Sequence, residues 1–157
     1  MLKIKNSKKY FLFLLLTFFL ASCFSVTYKD ISSDPRYKDI IGTKYNTKVD
    51  LLVLGIVLDL KNKDHVDFYT ITTLPGFSGP EVIYESSLKK GAILEVVGVE
   101  VCTMCLPDRM HYLVKIINDD HNYSANKVRI KSGTDNYSMD KETGVGMLNP
   151  VIYSRVE

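Results

Sequence analysis

After residue 33 the chain is a series of short apolar or alternating segments separated by polar turns. No segment there keeps the 3.6-residue spacing of a long helix, whereas runs of β-branched residues recur between turn residues. The segments that predict strands are Val49–Leu60, Val66–Thr73, Glu81–Glu85, Ala92–Val101, Tyr112–Ile117, Lys127–Lys131 and Val151–Val156. The pattern predicts a mainly β fold, a small barrel or sandwich of five to seven short strands.

Three of these segments carry further detail about the predicted strands. Gly55 interrupts the first apolar run, and an interior glycine of this kind indicates a bend or bulge. In the fourth segment, alternation puts one set of residues on a single face: Ile93, Val97, Val99 and Val101. In the segment Lys127–Lys131, the same rule points Val128 and Ile130 inward and the residues Lys127, Arg129 and Lys131 outward.

One short helix is predicted ahead of the strands. Asp34 suits the N-cap, Pro35 the first helical position and Gly42 the left-handed C-terminal stop. Tyr37, Ile40 and Ile41 would form one apolar stripe, so we expect a two-turn helix packed on the domain.

The segment Leu88–Gly98 joins a polar turn, Lys89-Lys90-Gly91, to a strand that ends at glycine. It resembles a strand-turn unit of bacterial SH3-like domains, in which a leucine, two polar residues and a glycine lead into a strand. The resemblance implies a small SH3-like barrel. The chain has no tryptophan, which SH3-like peptide grooves commonly use, so the resemblance implies a fold and no ligand.

The first 22 residues differ sharply in composition from the rest. They hold four of the 20 basic residues, no acidic residue, and the apolar run Phe11–Leu20. This run of ten residues is too short to span a bilayer and is typical of a signal peptide. The remaining chain has 16 basic against 18 acidic residues, so it lacks the concentrated positive charge that nucleic-acid binding requires.

The leader ends in Leu20-Ala21-Ser22-Cys23. This sequence resembles the lipobox of bacterial membrane lipoproteins, an aliphatic residue and two small residues before a cysteine. The resemblance implies cleavage after Ser22, lipidation of Cys23 and anchoring in a membrane of the cell envelope. Phe24 stands where an Asp tends to mark inner-membrane retention, so a Gram-negative source would imply the outer membrane, facing the periplasm. We therefore predict a signal peptide 1–22, a lipidated tether 23–33 and one domain 34–157.

Cys102 and Cys105 remain after lipidation, an even number in an oxidising compartment, so a disulfide is expected. Two alternatives stay open for this pair. A redox dithiol would need the first cysteine at a helix N-terminus, and a zinc site would add His111 and His121 as ligands. A cysteine hydrolase built on Cys105 and His111 lacks a third member. We expect no metal, no other cofactor and no catalytic residue.

The loop Leu74–Glu81 contains two glycines and two prolines around Phe77. Either Phe77 is buried as a plug of the barrel end, or the loop is an exposed recognition element on a rigid scaffold. The candidate binding residues are Pro75, Gly76, Phe77, Gly79 and Pro80. The sequence thus favours a lipid-anchored, non-enzymatic module that binds an envelope protein or peptidoglycan, with a thiol–disulfide or metal function at Cys102 and Cys105 as the alternative.

Overall fold

The computed structural model describes residues 27–103, 105, 109–117, 123, 127–131, 137–139 and 146–156. Strands account for most of these residues. In chain order they are β1 (Tyr28–Asp30), β2 (Lys44–Thr47), β3 (Leu51–Ile56), β4 (Phe68–Thr73), β5 (Val82–Leu88), β6 (Ile93–Cys102), β7 (Arg109–Ile117), β8 (Val128–Lys131), β9 (Tyr137–Met139), β10 (Gly146–Leu148) and β11 (Tyr153–Arg155). The mainly β fold expected from the sequence is confirmed.

Nine of the strands form a single sheet. Its order is β11-β2-β6-β7-β8-β4-β3-β5. Strands β1 and β2 pair with the same edge of β6, β2 at its N-terminal end and β1 at its C-terminal end. Strands β4 and β8 are parallel, whereas the other pairs are antiparallel. Strands β9 and β10 form a separate pair. Among the described residues the outer strands β11 and β5 do not pair with each other, so the sheet is open and has more strands than the five to seven predicted.

The main core lies on one face of this sheet. It contains sixteen buried residues from eight strands and from the segments between them, including Leu51, Leu94, Val99, Tyr112 and Ile130. A smaller cluster covers the opposite face of β3 and consists of Leu52, Leu54, Ile56 and Phe68. Because β3 is buried on both faces, its sequence is continuously apolar and does not alternate.

Two β-bulges shape the sheet. The pairing of β3 with β5 shifts register between Gly55 and Ile56, which confirms the irregularity predicted at Gly55. A second bulge between Val96 and Gly98 in β6 adds a residue opposite β7. The added residue reverses the alternation, so Val97 is 51% exposed while Val96 is buried. The prediction that Val97 lies on the same face as Val99 is therefore wrong.

The predicted N-terminal helix is wrong in its extent. Asp34 caps the first turn and Gly42 has a positive φ of 82°, as predicted, but the helix is a single 3₁₀ turn, Pro35–Tyr37. Further turns follow, and the Gly42 amide donates to the Val96 carbonyl of β6 at 2.7 Å. So short a segment gains little from helical hydrogen bonds alone, and the contact with β6 sets its path instead.

The folded part begins before residue 34. Residues 28–30, which the sequence assigns to the tether, form β1 and pair in register with β6 from Tyr28–Cys102 to Asp30–Glu100. The Ile31 amide continues this pairing to the Val99 carbonyl at 2.9 Å. A polar segment of only three residues has no pattern that would predict a strand.

The turn of the SH3-like segment is present, since Leu88 ends β5, Gly91 has a positive φ of 88° and β6 follows. The two strands do not form a hairpin, however. Strand β5 lies at one edge of the sheet and pairs with β3, whereas β6 pairs with β1, β2 and β7. The chain crosses from one part of the sheet to the other at this turn.

Candidate functional site

The Cys102–Cys105 disulfide predicted from the sequence is present, with the two Cα atoms 5.5 Å apart. Cys102 is the last residue of β6 and is fully buried, opposite Arg109 of β7 and Tyr28 of β1. Beyond it, the hydroxyl oxygens of Thr27 and Thr103 lie 2.5 Å apart. The bridge therefore lies where β6 ends beside the start of the described chain.

The surroundings of the two cysteines bear on the redox and zinc alternatives. Cys102 ends a strand, so its thiol lacks the helix N-terminus that activates the first cysteine of a redox dithiol. Across the described residues, no three His, Cys, Asp or Glu side chains are close enough together to hold a metal ion. His121, the fourth proposed zinc ligand, lies outside those residues.

A buried charge cluster lies beside the disulfide, on the face of the sheet opposite the main core. Glu100 of β6 is 1% exposed, and its carboxylate accepts a hydrogen bond from Nε of Arg129, which is 6% exposed. Lys127 also donates to Glu100 through Nζ, at 3.4 Å, from a largely exposed position. The prediction that Arg129 points outward to solvent is wrong, because this outer face is itself covered.

Two aromatic rings cover Arg129. Its guanidinium carbon lies 4.0 Å from the ring centroid of Tyr28 and 4.1 Å from that of Phe68. A planar guanidinium can stack on aromatic faces while its edge pairs with a carboxylate. Strand β1 supplies one of these rings, so a residue assigned to the tether completes the cluster.

His111 of β7 faces the same cluster and is 2% exposed. Its Nδ1 lies 3.7 Å from Oε1 of Glu100, which is too far for a hydrogen bond, and neither ring nitrogen has a hydrogen-bond partner among the described residues. Its ring centroid is 5.6 Å from that of Tyr28. The sequence offers His111 as a zinc ligand or as the partner of a cysteine nucleophile, whereas the structure places it beside the buried pair of Glu100 and Arg129.

The cluster keeps Glu100 ionised. Burial alone would raise the pKa of this carboxyl, but the neighbouring His111 and Arg129 side chains outweigh burial and lower the pKa to about 2. Because the His111 contact is long, we attribute the lowering mainly to Arg129. The cluster thus holds a carboxylate that is charged, paired and hidden from solvent, an arrangement suited to fixing β1 and β8 against β6.

The lowered pKa predicts that the domain loses stability in acid. The unfolded chain has the ordinary glutamate pKa, so the contribution of Glu100 is fully present above about pH 5 and is lost as the pH falls toward about 2. Chemical unfolding at a series of pH values should show this decline, and it should be shallower in Glu100→Gln. Parallel declines in the two proteins would exclude Glu100 as its source.

The proposed binding loop connects β4 and β5, the two strands that flank β3. Strands β4 and β5 both pair antiparallel with β3, so the connection Leu74–Glu81 must run along the length of β3. It begins with a cis peptide at Leu74–Pro75, and Gly76 has a positive φ of 77°. A side chain at Gly76 would come within 2.8 Å of Leu52, so this backbone lies directly over the smaller apolar cluster.

Phe77 does not plug a barrel end, because its side chain is 40% exposed, and the neighbouring Leu74 is 59% exposed. The backbone of the loop is held against β3 while these two apolar side chains face solvent. Such an arrangement offers a preformed apolar contact on a fixed backbone.

Reasoning from the sequence found the disulfide and the loop but not the buried charge cluster. One signal was available, since Glu100 is a single acid within the apolar run Val96–Cys102. A charge in such a run needs a buried partner. Its partner Arg129 comes 29 residues later, and no local pattern connects the two residues.

Within the part of the chain that the structure describes, no helix has the length and apolar character needed to cross a membrane. In comparisons with known proteins, the chain matches no family model, no curated protein and no solved structure.

Proposed function

We propose that this chain is a lipid-anchored protein of the cell envelope whose β domain binds another envelope component and catalyses no reaction. The observation that carries the proposal is the sequence Leu20-Ala21-Ser22-Cys23 after a short apolar run, since a lipobox places a diacylglyceryl group on the cysteine. Two or three acyl chains are enough for stable anchoring. With a Gram-negative source, Phe24 favours the outer membrane.

The Cys102–Cys105 disulfide supports a location outside the cytosol, because structural disulfides persist in oxidising compartments. The pair also fits a structural role better than a catalytic one. Cys102 is fully buried at a strand end, and its neighbours across the sheet are Tyr28 and Arg109.

The loop Leu74–Glu81 is the surface that we assign to partner binding. Pro75, Gly76, Gly79 and Pro80 restrict its backbone, and Phe77 and Leu74 present apolar area to solvent. A preformed loop loses little conformational entropy on binding, so a small contact can be specific. The partner would be an envelope protein or peptidoglycan.

A photo-crosslinking amino acid at position 77 tests this assignment in intact envelopes. With the crosslinking amino acid in place of Phe77, we expect one saturable adduct. An excess of unlabelled protein should suppress it. The matched control is position 151, since Val151 is also apolar and is 69% exposed, but lies beside β11. No adduct from position 77, or the same adducts from both positions, would contradict the assignment.

The second candidate is a thiol–disulfide or metal function, which the Cys102-x-x-Cys105 spacing favours. If the bridge is structural, the folded domain should show no thiol reactive toward a thiol reagent after equilibration with millimolar glutathione. It should also retain no zinc. Two titratable thiols under these conditions would favour redox chemistry, and stoichiometric zinc on the reduced protein would favour a metal site.

A further inference from the structure

The start of the described chain is fixed at one end of the sheet. Strand β1 runs antiparallel to β6, with Tyr28 opposite Cys102, so Thr27 lies beyond the last residue of β6. The Thr27 carbonyl accepts a hydrogen bond from the Thr103 amide at 3.0 Å, and the two hydroxyls pair as well. The position of Thr27 is therefore set by the fold and not by a free linker.

The distance from Cys23 to this point is limited by the length of the chain. Four Cα-to-Cα steps lead from Cys23 to Thr27, and a fully extended chain covers at most about 3.6 Å per step. Thr27 must therefore lie within about 14 Å of Cys23, whatever path the intervening residues take. The ten residues of β6 extend about 30 Å away from Thr27, roughly twice that limit.

We propose that the end of the domain formed by Thr27, Lys29, Thr103 and Arg109 lies against the lipid headgroups of the membrane in which Cys23 is anchored. This inference rests on the proposed lipidation. The four side chains are exposed, and Lys29 and Arg109 offer two positive charges to headgroup phosphates. Strand β6 then leads away from the bilayer toward the turn Lys89-Lys90-Gly91.

The absence of tryptophan from the chain allows a direct test of orientation. Two full-length variants, Lys29→Trp and Lys90→Trp, each carry a single tryptophan and make the same change in charge at an exposed site. The lipidated proteins are reconstituted into phosphatidylethanolamine–phosphatidylglycerol vesicles that contain a lipid with a nitroxide on its headgroup. We expect several-fold stronger quenching of the tryptophan at position 29 than of the one at position 90.

The same samples separate this inference from the proposal on which it rests. Flotation with the vesicles reports anchoring, and quenching of the floated protein reports orientation. Protein that floats but is quenched equally at both positions would overturn the orientation and leave the anchor standing. Protein that does not float would overturn both.

A longer linker provides the control for the length argument. Fifteen glycine and serine residues inserted after Ser25 add a flexible segment with a root-mean-square length of roughly 20 Å. In this background the quenching at position 29 should fall toward that at position 90. Unchanged quenching would show that the surface itself binds headgroups without help from the short connection, which would overturn chain length as the cause.

Discussion

Replacing Arg129 with alanine is expected to lower the free energy of unfolding by about 3–5 kcal/mol, because it leaves a buried carboxylate without its main partner. Glu100 is 1% exposed and cannot regain solvent without moving β1 or β6. The variant also removes the guanidinium that lies between the rings of Tyr28 and Phe68. Urea unfolding of the soluble domain at pH 7 measures the loss.

Two further variants separate charge from burial at this site. Lys127→Ala removes a second cation paired with Glu100, but its side chain is 60% exposed, so we expect a loss below about 1 kcal/mol. Arg129→Lys keeps the charge and loses the planar stacking, so its stability should lie between those of the wild type and Arg129→Ala. If Arg129→Ala costs no more than Lys127→Ala, the buried cluster does not stabilise the fold as described.

Leu51→Ala is the second change with a large expected effect, a loss of about 2–5 kcal/mol in the free energy of unfolding. Leu51 is fully buried in the main core, on a strand that has neighbours on both sides and buried residues on both faces. Removing its side chain opens a cavity that the surrounding sheet cannot close without breaking pairs with β4 or β5. The measurement is again equilibrium unfolding by urea.

The same substitution a few residues later is the control. Leu58 belongs to the same apolar run of the sequence but lies beyond the end of β3 and is 64% exposed. Leu58→Ala should change the stability by less than about 0.5 kcal/mol. Equal losses for the two variants would contradict the placement of the strand boundary at Ile56.

Local patterns were enough to predict seven of the eleven strands among the described residues, β3 to β8 and β11, and the bulge at Gly55. They succeeded because each of these strands buries at least one apolar face, which leaves a run of β-branched or aliphatic residues in the sequence. The short strands β1, β2, β9 and β10 were missed. β1 and β2, for example, consist of the sequences Tyr-Lys-Asp and Lys-Tyr-Asn-Thr, which form strands only because an edge of β6 is available to them.

The faces of the strands were harder to predict than the strands themselves. A bulge at Val97 reversed the expected alternation in β6, and a bulge leaves no consistent mark on the spacing of apolar residues. The Arg129 side chain was predicted to point outward because a prediction from alternation assumes that one face of the sheet is exposed to water. Here Tyr28 and Phe68 cover the second face, and contacts between residues so distant in sequence cannot be derived from local order.

For the candidate site, the sequence supplied the disulfide and the loop because both carry a compositional signal, two cysteines in one case and a cluster of glycine and proline in the other. The exposure of Phe77 could not be decided in this way. It depends on the crossing of the loop over β3, which follows from the pairing of β5 with β3 and not with β4.

Intact-mass and peptide mass spectrometry of the protein extracted from its native membranes shows whether the chain is a lipoprotein. We expect residues 1–22 to be missing and the chain to begin at Cys23, with a diacylglyceryl group on the sulfur and Cys102 bridged to Cys105. A chain that still begins at Met1, with an unmodified thiol at Cys23, would contradict this expectation.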